Sequence, residues 1–464
     1  MTYDESLRAL LALGRELAAP RQPAQSSAAG AQVQKFGLQN ISTLSAALGN
    51  PHRAIPCAHI AGTNGKGSTA AMLDSILRSA GLRSGLYTSP HLERVNERIR
   101  IDGRDVSDSD FAAAWSRVHA AIESLMASAA LPAHPTYFEC VTAMAFLLFA
   151  EKKLDFAVYE VGLGGRLDST NVIVPEVTLI TSIDFDHENF LGHSIPEIAA
   201  EKAGIIKPNI HVVSSAERPE ARIVIAQRCR DLGAPLTEID STYRIRFTHA
   251  IDGRYPALAV SRRGNAPPFS LNPPLRGRFQ IRNALAAATA ARVLAQRGFP
   301  ITHHAIEHGI RSVRWPGRLE KLSDSPALYL DGTHNPAGAR ELLNFWNENF
   351  ASRRIFLVYG TVRDKAVDEI AGLLFPRAQR VILTAPRQPR AISADVLAEM
   401  AGHLAPSFLI EHDPQIALER ALQMASPDDA VFATGSLYLV GEWLAYWRSR
   451  KTSATRAAAL PHSE

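Results

Sequence analysis

Apolar positions along the chain come in two rhythms. Short apolar runs of strand length recur in CAHIAG, FAVYEVG, LITSIDFD, ALYLDG, RIFLVYG, RVILTAP and DAVFATGS. Between them AAMLDSILRSAG, NALAAATAARVLAQRG, HHAIEHGIRS and AVDEIAGLLF place apolar residues at helical spacing. This βαβα order, running from Ile55 to the last tryptophans, predicts α/β domains with mainly parallel sheets. The rhythm pauses near WPGR, residues 315 to 318, and a fresh series begins there, so the chain divides into 1–314 and 315–464. The second series has the size of a doubly wound domain. Its DGTHNP and GTVRDK segments fall beyond strand carboxyl ends, where such folds bind substrates. The Pro/Ala/Ser/Gln-rich stretch 19–32 predicts a flexible loop, and residues 450–464 a frayed tail. No internal repeat is found.

Composition narrows the setting. With 464 residues, two domains are the default, and 46% hydrophobic with 21% charged residues excludes a largely disordered chain. A net charge of +4 without a Lys/Arg block gives no nucleic-acid footprint, and suits small anionic substrates. The three cysteines, Cys57, Cys140 and Cys229, are far apart with no CxxC pairing, which fits a reducing compartment and no structural zinc site. MTYDESLRAL lacks the basic-then-apolar order of a signal peptide, and VTAMAFLLFA is too short to span a bilayer. The expectation is a cytosolic enzyme that engages neither membrane nor nucleic acid.

Candidate chemistry starts at AGTNGKGST, residues 61 to 69. Against the strict P-loop pattern it fails twice, at Ile60 and Gly67. A strand, a Gly-rich turn and a helix N-terminus nevertheless make an anion site, because backbone N–H groups and the helix dipole converge there. Gly62, Gly65 and Gly67 would let the backbone approach phosphate oxygens, Lys66 would reach the terminal phosphates, and Ser68 would face a metal. In FAVYEVGLGGRLDSTN a carboxylate, Glu160, ends an apolar strand, as a Mg²⁺ ligand near a phosphate loop would. Asp184, Asp186 and His187 follow another apolar run, and Lys202 lies on the helix of IAAEKAGIIKP. Each alone is weak: a strand-ending glutamate is more often solvated, and a lone His or Lys more often structural.

Taken in order, GTNGKGS, YTSPHL, ERIRIDG, TYFE, EVGLGGRLDSTN, DHENFLG, EKAGIIKP, WPGRLE, DGTHNP, DKA and GSLYLVGE resemble the folylpolyglutamate synthase/dihydrofolate synthase family of the Mur ligase superfamily. The resemblance covers roughly residues 35 to 445. It implies an N-terminal P-loop Mur-ligase-type ATP-binding domain with the pterin site (1–314) and a smaller C-terminal Rossmann-like α/β glutamate-ligase domain. It also accounts for the loop, since this superfamily uses G-x-x-G-K and the folate branch follows the lysine with Gly-Ser.

The activity implied is ATP-dependent amide ligation of L-glutamate to dihydropteroate and to folates through an acyl phosphate, by a cytoplasmic monomer. The nucleotide would lie on Gly62, Thr63, Asn64, Gly65, Lys66, Gly67 and Ser68, with Asn283, Arg318 and Asp331. Two Mg²⁺ sites are implied: Ser89 with Glu160, and Glu160 with His187 and Lys202, the last carboxylated because an ammonium cannot ligate a cation. The pterin would touch Thr136, Tyr137, Phe138 and Glu139 and the Leu167, Asp168, Ser169 turn, and glutamate would lie near His334. Phe279 stands where many relatives carry His. FGLQNISTLSAALGNPH is similar to the segment preceding the loop in bifunctional forms. A monofunctional folylpolyglutamate synthase, a cell-wall Mur ligase and a regulatory NTP switch stay open as alternatives.

Overall fold

The central strands of the larger sheet are buried on both faces, which is why their sequences read as unbroken apolar runs rather than as alternations. The computed structural model describes residues 1–14, 37–264, 266–363 and 365–458. Eight strands form this sheet: β1 (Cys57–Ala61), β2 (Ser84–Tyr87), β3 (Ile99–Ile101), β4 (Arg104–Asp105), β5 (Phe156–Glu160), β6 (Val177–Ile180), β7 (His211–Ser214) and β8 (Leu236–Glu238). Their order is β4-β3-β2-β5-β1-β6-β7-β8. From β2 to β8 all neighbours are parallel, with Ile60 level with both Glu160 and Leu179. Three adjacent strands, β5, β1 and β6, therefore deliver the segments that follow them to one edge of the sheet. Those segments are Val161–Gly165, Gly62–Gly65 and Thr181–His187.

Helix Lys66–Ser79, which follows β1, is clamped between the sheet and helices Phe279–Gln296 and His303–Ser312. Small residues make this approach possible. A Cβ at Gly309 would lie 2.4 Å from the Ile76 Cα, and Ser75 Oγ donates to the Gly309 carbonyl at 2.7 Å. The alanine-rich face of Phe279–Gln296 continues the same core and also carries a three-stranded antiparallel sheet, β9 (Tyr243–Phe247), β10 (Ala257–Ser261) and β11 (Phe269–Leu271).

The second sheet contains β12 (Glu320–Asp324), β13 (Ala327–Leu330), β14 (Ile355–Tyr359), β15 (Arg380–Leu383), β16 (Phe408–Ile410) and β17 (Ala430–Thr434). Their order is β12-β13-β17-β14-β15-β16, with only β12 antiparallel. Here too the carboxyl ends of neighbouring strands converge, bringing Asp331–Asn335, Val362, Lys365 and Gly435–Leu437 to face the loops of the first sheet.

The frayed tail expected from Arg450 is replaced by helix through Ala458, the end of helix Leu437–Ala458. Its last turns are rich in Ala, Lys and Arg, all strong helix formers. Residues 459–464 and the predicted loop 19–32 lie outside the described residues. Among the described residues no helix is long and apolar enough to cross a membrane.

Candidate active site

The loop after β1 is rigid before any ligand arrives. Thr63 Oγ1 donates to the Asp184 carbonyl at 2.9 Å and accepts from the Asp184 N–H at 3.1 Å, while the Thr63 N–H donates to the Ser182 carbonyl at 2.7 Å. Gly65 precedes the helix with φ +84°, a region that favours glycine, and a Cβ there would strike Asn283 Oδ1 at 2.3 Å. A Cβ at Gly67 would press on Trp315 at 3.1 Å and on Glu160 Oε2 at 3.4 Å. This explains why glycine follows the lysine here: the carboxylate and the indole come within van der Waals range of the helix's first turn. Ser68 Oγ accepts from Gln280 Nε2 at 3.4 Å, and Gln280 Oε1 accepts from Asn283 Nδ2 at 3.0 Å.

Two buried ionisable groups, Glu160 and Lys202, and two half-buried ones, Lys66 and Arg318, surround this loop. Lys66 Nζ donates to the carbonyls of Gly62 (2.9 Å) and Thr63 (3.1 Å), and Lys202 Nζ donates to the same Gly62 carbonyl at 2.9 Å. Burial lowers both lysines, against the pull of Glu160 and Asp186 on Lys66. Burial and the Lys66 charge together bring Lys202 to about 7. Burial likewise lowers Arg318, which senses Asp331 and Glu160. Glu160 is buried, and its Oε2 accepts from the Ser89 N–H at 3.1 Å.

The second sheet closes this edge through polar contacts. Asn64 and Asn335 exchange amide hydrogen bonds in both directions, at 3.1 and 2.9 Å. Arg340 reaches Asp184 at 3.1 Å, and Lys365 Nζ lies 3.2 Å from Asp186 Oδ1 and 3.3 Å from His187 Nε2. Burial would raise the Asp186 carboxyl, but Lys365 and the imidazoles of His187 and His334 hold it well below the usual carboxylate range. Asp331 serves its own loop: Oδ2 accepts from the Leu319 N–H at 2.9 Å, and Oδ1 accepts from the Thr333 N–H and hydroxyl at 2.9 and 2.5 Å. His334 Nδ1 lies 2.7 Å from the Gly332 carbonyl, so Nδ1 carries the proton, and burial with the nearby Lys365 lowers the ring to about 3.

Two cavities open at this junction. The first, about 420 Å³, is lined by Gly62–Ser68, Glu160, Lys202, Asn283, Arg318 and Asp331, among others. The second, about 460 Å³, is lined by Thr136–Glu139, Leu167–Ser169, Phe190 and Tyr438, with Arg166, Lys365 and Arg390 at its polar side. They share Ser89, Pro90, Gly162–Gly164, His187, Leu191, His334 and Leu437.

Three polar residues of the second wall, Thr136, Glu139 and Asp168, bond to backbone groups close by. Thr136 caps helix Tyr137–Glu151 in a capping box: its hydroxyl accepts from the Glu139 N–H at 3.2 Å, and Glu139 Oε2 accepts the Thr136 N–H at 2.7 Å. Asp168 Oδ2 accepts the N–H groups of Gly162 and Leu163, and Oδ1 those of the Thr170 backbone and hydroxyl. Phe138 packs its ring over Gly162, where a Cβ would lie 2.5 Å from it.

A loop, its neighbouring carboxylate and a second α/β sheet arranged in this way also occur together in known proteins. The Mur ligase middle domain matches residues 60–291, and the Mur ligase glutamate ligase domain residues 317–437. A dihydrofolate synthase/folylpolyglutamate synthase of Bacillus subtilis (strain 168) is 36% identical over 88% of this chain and 94% of its own length. The chain belongs to the folylpolyglutamate synthase/dihydrofolate synthase family of Mur ligases. Within that family the fold is similar to the Mycobacterium tuberculosis folylpolyglutamate synthase complexed with ADP and AMPPCP. The TM-score is 0.82 at 34% identity, covering 89% of this chain and 96% of that one. The Escherichia coli FolC complex with DHPP and ADP is similar at TM-score 0.82 and 28% identity, covering 97% and 99%. As a member of the folylpolyglutamate synthase/dihydrofolate synthase family, the chain is an ATP-dependent ligase.

Asn335, Arg340 and Lys365 join Asp184, a candidate from the sequence, across the two halves of this family member's site without having been singled out as binding residues themselves. Their position at strand carboxyl ends, in SIDFD, DGTHNP and GTVRDK, was the available signal.

Proposed function

We propose that the chain joins L-glutamate to the carboxylate of dihydropteroate and of reduced folates, with ATP cleaved to ADP and phosphate in the same reaction. The observation that carries this reading is the shared wall of the two cavities. A nucleotide on the Gly62–Ser68 loop would bring its terminal phosphate to Ser89, His187 and His334, where a flat apolar substrate from the second cavity would bring its carboxylate. A carboxylate oxygen attacks the γ-phosphorus, ADP leaves, and an acyl phosphate forms. The α-amine of glutamate then attacks the acyl carbon, loses a proton, and expels phosphate.

In this reading Lys66 and Arg318 hold the phosphates, and Lys66 meets the charge gathering on the transferred group. It releases the carbonyls of Gly62 and Thr63 to do so. Asn283 and Asp331 position the nucleotide. Phe138, Leu167 and the Thr136–Glu139 segment shape the pterin pocket, and neutral His334 stands beside the incoming glutamate. The division at 314/315, with ATP and pterin on one side and glutamate-binding loops on the other, belongs to the same proposal, as do a monomeric state and a cytoplasmic location.

The donors fit Mg²⁺: Ser89 and Glu160 offer oxygen, and His187 an imidazole nitrogen. Lys202 would join them once carboxylated, a conversion that requires the neutral amine and is favoured by a pKa near 7. Bound Mg²⁺ would neutralise phosphate charge during transfer. Electron density continuous with Lys202 Nζ in crystals grown near neutral pH checks the carboxylation. ADP release tests the function itself, measured with dihydropteroate, tetrahydrofolate and UDP-muramyl peptides in turn, each with its amino acid. Turnover with the first two and none with the third is expected. Turnover with tetrahydrofolate alone identifies a monofunctional synthase, and turnover with the muramyl peptide removes the folate reading.

A further inference from the structure

Outside both cavities, helix Asp108–Ala127 carries His119 and Glu123 one turn apart on one face, and the loop after it brings His134 back beside them. One ligand atom from each lies within 4.8 Å of the other two. The three side chains are prepared in different ways. The His119 ring lies flat against Trp115, with centroids 5.3 Å apart and planes at 18°. Its Nδ1 is buried and has no hydrogen-bond partner among the described residues. His134 Nδ1 is 2.8 Å from the Pro135 carbonyl. A carbonyl only accepts, so Nδ1 donates and Nε2 keeps its lone pair. A metal-bound histidine usually has this arrangement, one ring nitrogen fixed by a carbonyl and the other free to coordinate. Glu123 is exposed and supplies negative charge.

We propose that His119, Glu123 and His134 form a binding site for one divalent cation of the zinc class. Two imidazoles and one carboxylate suit zinc and its neighbours rather than Mg²⁺, which prefers oxygen. Bonds of about 2.0–2.2 Å require the donors to close to about 3.4 Å apart in a tetrahedral shell. The exposed Glu123 has the freedom to make that adjustment, while the stacked His119 stays in place. The consequence reaches the second cavity. His134 stands two residues before Thr136, the cap of the helix that forms one wall, so the cation would tie this segment to helix Asp108–Ala127.

The test uses the full chain stripped with EDTA and titrated with Zn²⁺ alone, bound zinc being measured after dialysis. Glu160→Gln separates any zinc taken by the catalytic cavity. Because His119 packs on Trp115 and its loss could disturb folding, the informative variants are Glu123→Gln and His134→Gln. Wild type and Glu160→Gln are expected to hold one zinc that both of these variants bind at least about tenfold more weakly. Binding should also raise the melting temperature of the wild type more than that of His134→Gln. No zinc uptake by the wild type, uptake lost only in Glu160→Gln, or equal affinity in wild type, Glu123→Gln and His134→Gln would overturn the site.

Discussion

The two cavities are of similar size and meet at one wall, yet their polar residues are employed in opposite ways. Around the nucleotide loop, half-buried Lys66 and Arg318 and buried Lys202 are only partly matched by Glu160 and by carbonyl oxygens. In the second cavity Thr136, Glu139 and Asp168 direct their oxygens to neighbouring N–H and hydroxyl groups. The first set is at a cost in the empty protein and gains from a ligand. The second is satisfied without one, and acts by holding a shape against which an apolar ring can lie. Removing a member of the first set should therefore damage catalysis more than stability, and removing a member of the second the reverse.

The largest effect is expected for Lys66→Ala, which should lower turnover by about 10²–10³-fold. Its thermal unfolding midpoint should stay level or rise. Normal turnover in that variant would remove the contrast. Next, Asp168→Ala strands the N–H groups of Gly162, Leu163 and Thr170 and should cost about 3 kcal/mol in urea unfolding. If stability holds while turnover collapses, Asp168 belongs with the first set.

Lys202 gives the contrast a pH dependence. Its folded pKa, about 7, lies below the ordinary 10.5, so the unfolded chain binds the extra proton between these values. Nucleotide-free wild type should therefore gain stability relative to Lys202→Met as pH rises through that window, by about 1.4 kcal/mol per unit at most. Below pH 7 the penalty of the buried charge is full and constant, and the Met variant has its greatest advantage there. Parallel stability curves across pH 7–10 would show that Lys202 is not held neutral.

A smaller change is expected from Arg318→Ala, which should raise the ATP concentration for half-maximal rate about tenfold and leave that for the pterin unchanged. Superimposable ATP titrations would exclude Arg318 from the nucleotide site. The smallest is Thr136→Ala, with a loss of about 1 kcal/mol of stability from the missing cap and a modest rise in the KM for the pterin as the wall loosens. A change confined to ATP would place that wall on the wrong side of the junction.

What could be read from the sequence follows the range of the interactions. Glu160 was legible because it terminates an apolar run, and Lys66 because it follows the Gly-rich turn just beyond one, a strand's carboxyl end in a parallel sheet being a site by topology. The Asn64–Asn335 pair was not, since its partners are 271 residues apart and nothing local to either one announces the other. The Thr136-x-x-Glu139 spacing is itself a capping-box signature, so the helix start was available locally even though the segment drew notice as a substrate contact. The antiparallel sheet β9–β11 carries alternating patterns in YRIRF and ALAVS, but these are short and half-exposed, and the surrounding α/β rhythm masks them.

The reciprocal Asn64–Asn335 contact makes the seam between the two sheets partly indifferent to its surroundings. Between the two, each amide gives and receives one hydrogen bond, so parting them breaks no ion pair, although Asn335 Nδ2 also donates to Asp186 Oδ2 at 3.3 Å. Of the flanking ionic pairs, Arg340 with Asp184 is partly exposed and weakens in salt, whereas Lys365 with Asp186 is nearly buried and is screened much less. A rise in ionic strength should loosen the Arg340–Asp184 flank while the Asn64–Asn335 and Lys365–Asp186 contacts keep register, so the halves would swing about those two contacts as a pivot rather than drift apart.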